Sequence, residues 1–242
     1  MADTPNRIGE GKDTALVLFS AGQDSTTCLA WALSRFKRVE TIGFDYGQRH
    51  RIELDQRPLV RAALMRAFPG WGAKLGPDHV VDIRSFGALA DSALTADRPI
   101  EAFPGALPTT FVPGRNLVFL AYAAALGYTR GFSTLVGGMC ETDFAGYPDC
   151  RADTIAAMAQ ALSLGLDAPV KVETPLMFLT KGETWRLAHD LGGEALIGLI
   201  QQDTHTCYRG VRDRLWDWGY GCGDCPACAL RARGWEEFTS GQ

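Results

Sequence analysis

Apolar runs and amphipathic stretches alternate along the chain. Residues 14–20 (TALVLFS) form a compact apolar run that reads as a fully buried strand. A helix is expected from about residue 25 to 33, and residues 39–44 (VETIGF) read as a second strand. Residues 50–68 have the spacing of a long amphipathic helix, with Leu54, Leu59, Ala62, Ala63 and Leu64 available for its buried side. Residues 79–83 give a third short strand, and residues 116–126 (NLVFLAYAAAL) an almost wholly apolar helix. Residues 134–138 give a fourth strand and residues 152–164 a further helix. Thr180-Lys181-Gly182-Glu183 then matches a capping box opening a helix that runs to about Leu191. Buried strands alternating with helices predict an α/β fold, doubly wound around a mostly parallel sheet.

Two stretches depart from the alternation. Residues 85–113 hold four prolines and little periodicity. A loop of that length inside a compact domain is either functional or a mobile surface excursion. The other is the cysteine-rich tail from Cys207 onward. The expected organisation is an α/β domain over residues 1–200 and a four-cysteine extension over residues 201–242.

Composition narrows the function classes. The 242 residues are 46% hydrophobic and 21% charged, with a formal net charge of −4. A net negative chain lacks the basic face that broad nucleic-acid binding needs, so no nucleic-acid partner is expected. No apolar run reaches membrane-spanning length, and residues 1–12 are polar with no signal-peptide core. The expectation is a cytoplasmic protein with no membrane partner. Its seven cysteines are then ligands or core residues rather than disulfides.

The segment Phe19-Ser20-Ala21-Gly22-Gln23-Asp24-Ser25-Thr26 follows the first strand directly and opens the first helix. Open α/β sheets bind ligands at that end of their strands. Helix N-terminal amides hold phosphate, small residues let the backbone approach it, and Ser20, Ser25, Thr26 and Gln23 add donors. No lysine follows the glycine, which excludes the Walker A pattern. The run instead resembles the Ser-Gly-Gly-x-Asp-Ser signature of ATP pyrophosphatases, departing from it at Ala21. Should that position need a positive φ, alanine is penalised there. Asp24 repels phosphate and fits a Mg²⁺ ligand or its partner; the alternative for Asp24 is a helix-capping role.

Further polar segments stand at strand ends. FDYGQRH runs from Phe44 to His50, FVPGRN from Phe111 to Asn116, and GYPDCR from Gly146 to Arg151. With FSAGQDSTTCL, TDFAGYPDCR, TPLMFLTKGETW and CGDCPAC they span Phe19 to Cys228. In this ordered set the chain resembles the 7-cyano-7-deazaguanine synthase family, nitrile-forming enzymes of the queuosine precursor pathway with an adenine nucleotide alpha hydrolase-like fold.

The resemblance implies a specific chemistry. A carboxylate on a small deazapurine attacks the α-phosphate of ATP, carried with Mg²⁺. Ammonia displaces AMP, and a second activation leaves the nitrile. Cations must offset charge developing on the phosphates, and Lys181, Arg115 and Arg151 are candidates. A guanine-like edge needs a carboxylate acceptor, for which Asp143 and Asp149 stand out. Tyr46, Phe144 and Tyr147 are candidates for stacking on the ring. Each has a plainer alternative: Asp149 as an N-cap, Phe144 and Tyr147 as core, Lys181 as a solvated first-turn residue. Related enzymes are commonly dimers, which makes a homodimer the expectation. Free ammonia is expected as the nitrogen source. A ligase acting on another carboxylate or on a tRNA base, and a nucleotide-binding scaffold without catalysis, are the competing functions.

Cys207 is followed at a distance by Cys222-x-x-Cys225-x-x-Cys228. Four thiolates in this spacing suit a closed tetrahedral Zn²⁺ site, hence a structural one. An iron–sulfur cluster is the rival reading. Cys28, Cys140 and Cys150 read as small buried hydrophobes. His50 lies close enough to the second strand's end to touch the site.

Overall fold

In the computed structural model, residues 13–101, 106–142 and 146–241 are described. The strands are β1 (Thr14–Leu18), β2 (Arg38–Asp45), β3 (Leu75–Asp82), β4 (Thr134–Val136) and β5 (Lys171–Glu173), in one sheet of order β3-β2-β1-β4-β5. Every pairing in it is parallel. The helices are α1 (Gln23–Arg35), α2 (Ile52–Ala67), α3 (Pro69–Gly72), α4 (Arg84–Gly87), α5 (Arg115–Arg130), α6 (Ala152–Gly165), α7 (Lys181–Asp203) and α8 (Pro226–Thr239). A small antiparallel hairpin of β6 (Leu215–Trp216) and β7 (Gly219–Tyr220) lies between α7 and α8.

Strand alternation divides the core into two layers. Ala15, Val17 and Phe19 face one layer, with Leu29 and Leu33 of α1, Val60 and Leu64 of α2, and Trp185 and Ile200 of α7. Leu16 faces the other, with Ile42, Leu120 and Ala123 of α5, and Ile155 of α6. Successive side chains of a strand point to opposite faces, so a central strand needs apolar residues at both parities. This is the doubly wound fold that the apolar runs predict. The chain first builds outward from β1 to β3, then returns to the other side of β1 for β4. The switch point therefore lies between β1 and β4, and a ligand crevice is expected at their carboxyl ends.

The buried face of α2 differs from the expected one. Leu59 is 54% exposed, whereas Gln56, Arg57 and Val60 are buried beside Ala63 and Leu64. Arg57 takes the inward position because Gly43 of β2 leaves room for its guanidinium and Asp78 of β3 pairs with it. A Cβ at Gly43 would overlap that guanidinium. Helix α7 also outruns expectation. Its chain breaks at Gly193 (φ 58°, ψ −156°) and resumes, burying Leu196, Ile197, Leu199 and Ile200.

The start of α7 carries the full capping box. The Thr180 hydroxyl accepts from the Glu183 amide (3.1 Å), and Glu183 Oε2 accepts from the Thr180 amide (2.7 Å). Helix α8 crosses this end closely, since a Cβ on Gly234 would meet the Lys181 side chain at 2.5 Å. The cysteine-rich tail is thereby packed onto α7, with the Trp185 and Trp235 rings edge to face at 5.0 Å.

The described parts of residues 85–113 are held by their own hydrogen bonds. Ala93 donates to Thr109 O (2.8 Å) and Thr109 donates to Glu101 O (3.0 Å). They dock on the loop between β2 and α2 through Arg49 N–H to Leu94 O (2.9 Å).

Candidate active site

A cavity of about 320 Å³ opens at the carboxyl ends of β1, β2 and β4. The turn after β1 forms one wall through Phe19, Ser20, Gly22, Gln23, Asp24 and Ser25. Two serines brace this turn. Ser20 N–H donates to Ser25 Oγ (3.1 Å), Ser25 Oγ donates to Gly22 O (3.2 Å), and Gly22 N–H donates to Ser20 Oγ (3.3 Å). Ala21 has φ 66°, the left-handed conformation. The penalty foreseen for alanine here is therefore present, and its side chain is fully buried.

No side chain caps α1, whose N-cap is Gly22. Apart from Gln23, whose amide meets Thr206 Oγ1, its first-turn amides are available to an anion. The Gln23 side chain is 1% exposed, and neither its Oε1 nor its Nε2 has a partner among the described residues. Buried amides rarely stay unsatisfied; water or a ligand normally meets them. Ala21 and Thr26 are buried behind the turn rather than on the wall.

Asp24 and Lys181 meet across this end of the sheet. Lys181 Nζ donates to Asp24 Oδ2 at 2.7 Å, with the lysine side chain 7% exposed. Lys181 is therefore not a solvated first-turn residue. It stands behind Asp24, which faces the cavity and whose Oδ1 is buried without a partner.

The opposite wall is aromatic. Tyr46 and Phe119 lie 5.7 Å apart, Phe44 stacks on Phe119 at 4.1 Å, and Tyr147 stacks on Phe111 at 5.6 Å. Arg115, at the first turn of α5, projects among Tyr46, Tyr147 and Tyr208 and is held by the nearby Asp149 charge. Burial opposes the Arg115 charge, but these oxygens outweigh it and raise its pKa. Burial likewise raises Tyr46, against the pull of Arg115.

Several expected residues stand elsewhere. Asp149 is buried but does not line the cavity; its Oδ2 accepts the Asn116 amide at 2.9 Å, capping α5 rather than its own following helix. Its Oδ1 has no partner. Arg151 is exposed and away from the wall. Asp143 and Phe144 lie outside the described residues. Cys28 is core, while Cys140 and Cys150 reach the wall.

Other wall residues carried no sequence signal for this site. Glu53, in the first turn of α2, reads in sequence as an ordinary helix-start acid. His205, Thr206 and Tyr208 come from the tail. His205 N–H donates to Ala21 O (3.0 Å), and Gln23 N–H donates to Thr206 Oγ1 (3.4 Å). Arg231 of α8, fully buried, donates to Thr206 Oγ1 and to Ile200 O. The tail thus completes the phosphate turn. His50 also lines the cavity and packs against Gly210, whose φ of 68° places it against the imidazole.

The four tail cysteines converge. Their sulfurs all lie within 4.8 Å of one another, and Cys222 and Cys228 are 3.8 Å apart. A tetrahedral ion with metal–sulfur bonds of about 2.3 Å requires sulfurs roughly 3.8 Å apart. Cys207, Cys222, Cys225 and Cys228 therefore fit a bound metal ion.

A parallel sheet with an anion-ready turn at its switch point defines a nucleotide-binding α/β protein with the fold of the ATP pyrophosphatases. The family described as "Queuosine biosynthesis protein QueC" matches residues 14–239, and the chain belongs to it. It is 66% identical over 221 residues to a 7-cyano-7-deazaguanine synthase of Maricaulis maris, covering 91% of each chain. It is 60% identical to the Paraburkholderia phytofirmans protein of that name over 96% of each chain, and 63% identical to that of Caulobacter vibrioides over 94% of each. The fold recurs in a solved 4-thiouridine synthetase–RNA complex with bound ATP, at 17% identity and a TM-score of 0.50, covering 96% of this chain and 55% of that one. Among the described residues no helix is long and apolar enough to cross a membrane.

Proposed function

We propose that this chain is an ATP-dependent ligase that converts 7-carboxy-7-deazaguanine and ammonia to 7-cyano-7-deazaguanine in queuosine biosynthesis. The observation that carries the reading is one cavity joining an anion-ready turn to an arginine-bearing aromatic recess, in a chain of this family. Phosphates of MgATP would lie on the amides of α1, with Gln23 and Ser25 as donors. Asp24, held by Lys181, would orient the cation on the phosphates. The deazapurine would lie between Tyr46 and Tyr147, with Arg115 drawing its carboxylate toward the α-phosphorus. Of the two carboxylates expected to read the guanine-like edge, Asp149 is engaged in capping α5, which leaves Asp143 for that role.

A carboxylate oxygen leaves poorly until it is esterified to phosphate. Attack on the α-phosphorus forms the acyl adenylate and releases pyrophosphate. Positive groups on the wall offset the charge that develops there. Ammonia then expels AMP to give the amide, and a second ATP removes the amide oxygen as AMP.

In this reading Cys207, Cys222, Cys225 and Cys228 hold a structural Zn²⁺, with no position left open for chemistry. Residues 1–200 form the ATP-binding body and residues 201–242 its metal-bearing extension. The protein acts as a cytoplasmic homodimer on a small molecule, with neither nucleic acid nor membrane as partner.

The test is direct. Purified protein with MgATP, the carboxylate and ammonium should release two AMP for each nitrile detected by mass spectrometry. AMP release that does not depend on the carboxylate would reject the reading.

A further inference from the structure

Glu53 occupies the first turn of α2 and lines the same cavity as the phosphate turn and Arg115. Its carboxyl group makes no hydrogen bond or ion pair with any described residue. The groups that act on it electrostatically are the Arg115 guanidinium of α5 and the phenols of Tyr46 and Tyr208. Arg49 and His50 line the cavity on the approach to α2, and Tyr147 on the far side. The neighbouring Arg51 is engaged with Asp45 at 3.2 Å. Glu53 is half-buried in that wall, and a carboxylate drawn partly out of water is normally paired.

The reaction itself asks for a base at this wall. Nitrogen arrives from solution as ammonium, with four hydrogens, and leaves as a nitrile, with none. No oxidation is involved, so all four depart as protons from one atom. We propose that Glu53 is the catalytic base that receives the nitrogen as ammonium and removes its protons. The inference rests on the nitrile-forming reading above.

The steps balance as follows. The Glu53 carboxylate takes one proton from ammonium, giving ammonia and a carboxylic acid, and passes that proton to water before the next transfer. The nitrogen lone pair bonds to the acyl carbon, the carbon–oxygen bond to AMP breaks, and AMP leaves with the electron pair. The nitrogen's surplus proton passes to Glu53. The amide oxygen then displaces pyrophosphate from the second ATP. Loss of the last two nitrogen protons accompanies departure of the second AMP and leaves the carbon–nitrogen triple bond.

Two features favour Glu53 for this task. The aromatic wall of Tyr46 and Phe119 suits a small cation. Burial, working against Arg115, pushes the Glu53 carboxyl up to about 7. A base with a pKa close to the working pH takes a proton well and is still partly ionised.

The test separates activation of the acid from use of the nitrogen. Pyrophosphate release from MgATP and 7-carboxy-7-deazaguanine, without ammonium, should differ less than about threefold between the parent and Glu53→Gln. With ammonium, amide formation by the variant should fall by about 100-fold or more, the usual worth of a general base. Hydroxylamine, a free base at neutral pH, should restore the variant to within about fivefold of the parent, because no proton need be removed before attack. Loss of pyrophosphate release together with amide formation, or unchanged use of ammonium, would overturn the proposal and leave the functional reading standing. A parent protein that releases no pyrophosphate with this acid would overturn both. Should Glu53→Gln not fold, Glu53→Asp applies the same criteria, with a loss confined to the ammonium step expected.

Discussion

Lys181 Nζ and Asp24 Oδ2 lie 2.7 Å apart, joined across 157 positions of sequence. One residue opens α7 and the other sits in the first turn of α1. The pair fixes the carboxylate that faces the cavity. Asp24→Ala is expected to lower acid-dependent pyrophosphate release by about 100-fold or more, the scale of a lost charge at a phosphoryl-transfer site. In a double-variant cycle with Lys181→Met, melting should give a coupling energy of at least about 1 kcal/mol. Additive effects would mean that the two side chains act separately.

Ala21 stands at φ 66° in the turn. Relief of the left-handed strain is worth about 1–2 kcal/mol, and the freer unfolded glycine chain offsets about 0.4–1 kcal/mol of it. Ala21→Gly should therefore melt about 1–3 °C higher than the parent, given the usual response of a chain this size. A lower melting temperature would show that the buried methyl group contributes more than its strain costs.

Removal of the metal should be felt at the nucleotide. Cys207 follows His205, whose amide holds Ala21 O, and Thr206, whose hydroxyl accepts the Gln23 amide. Cys225→Ser should abolish metal binding by atomic absorption, lower the melting temperature, and weaken ATP affinity by about tenfold, a loss of about 1.4 kcal/mol. Metal-free protein that binds ATP as tightly as the parent would separate the two sites.

Acid stability should depend on Glu40, whose side chain is fully buried in β2. Burial opposes its charge, but Arg130 (2.5 and 2.8 Å), His79 (2.8 Å) and Arg38 together hold its pKa down to about 2. A folded pKa below the unfolded value stabilises the fold above about pH 4.5, and that stability drains away as pH falls toward 2. The contribution is about 2–3 kcal/mol. Glu40→Gln should be less stable at neutral pH and show a flatter acid-unfolding curve, measured by urea denaturation from pH 2 to 7.

Glu53 should give the opposite slope. Its folded pKa, about 7, lies above the ordinary value of 4.5. The fold therefore binds its proton more tightly than the unfolded chain does, and stability declines as pH rises from about 4.5 through 7. Glu53→Gln should remove that decline and gain about 1–3 kcal/mol relative to the parent at pH 8. A pH-independent difference in urea denaturation would argue against an uncommonly basic carboxylate.

Local signals carried much of this architecture. Both-parity apolar residues in β1 mark a central strand, and Thr180 and Glu183 mark a helix start through contacts three residues apart. The cysteine spacing marks the metal cluster equally well. Features built by distant segments were not legible. The inward turn of Arg57 depends on Gly43 and Asp78, which belong to other strands. Strand β5 is three residues long with no fully buried position, too short for periodicity to register. Asp149 has a helix-cap sequence context, yet it caps α5 from outside. The acid at Glu53 looks ordinary until α5 brings Arg115 beside it.

The phosphate turn near the chain's beginning is finished by hydrogen bonds from residues 205 and 206. During folding, then, the turn after β1 lacks these two hydrogen bonds until residues 205 and 206 have packed against it, so local order at the carboxyl end of β1 waits on a segment more than 180 positions away.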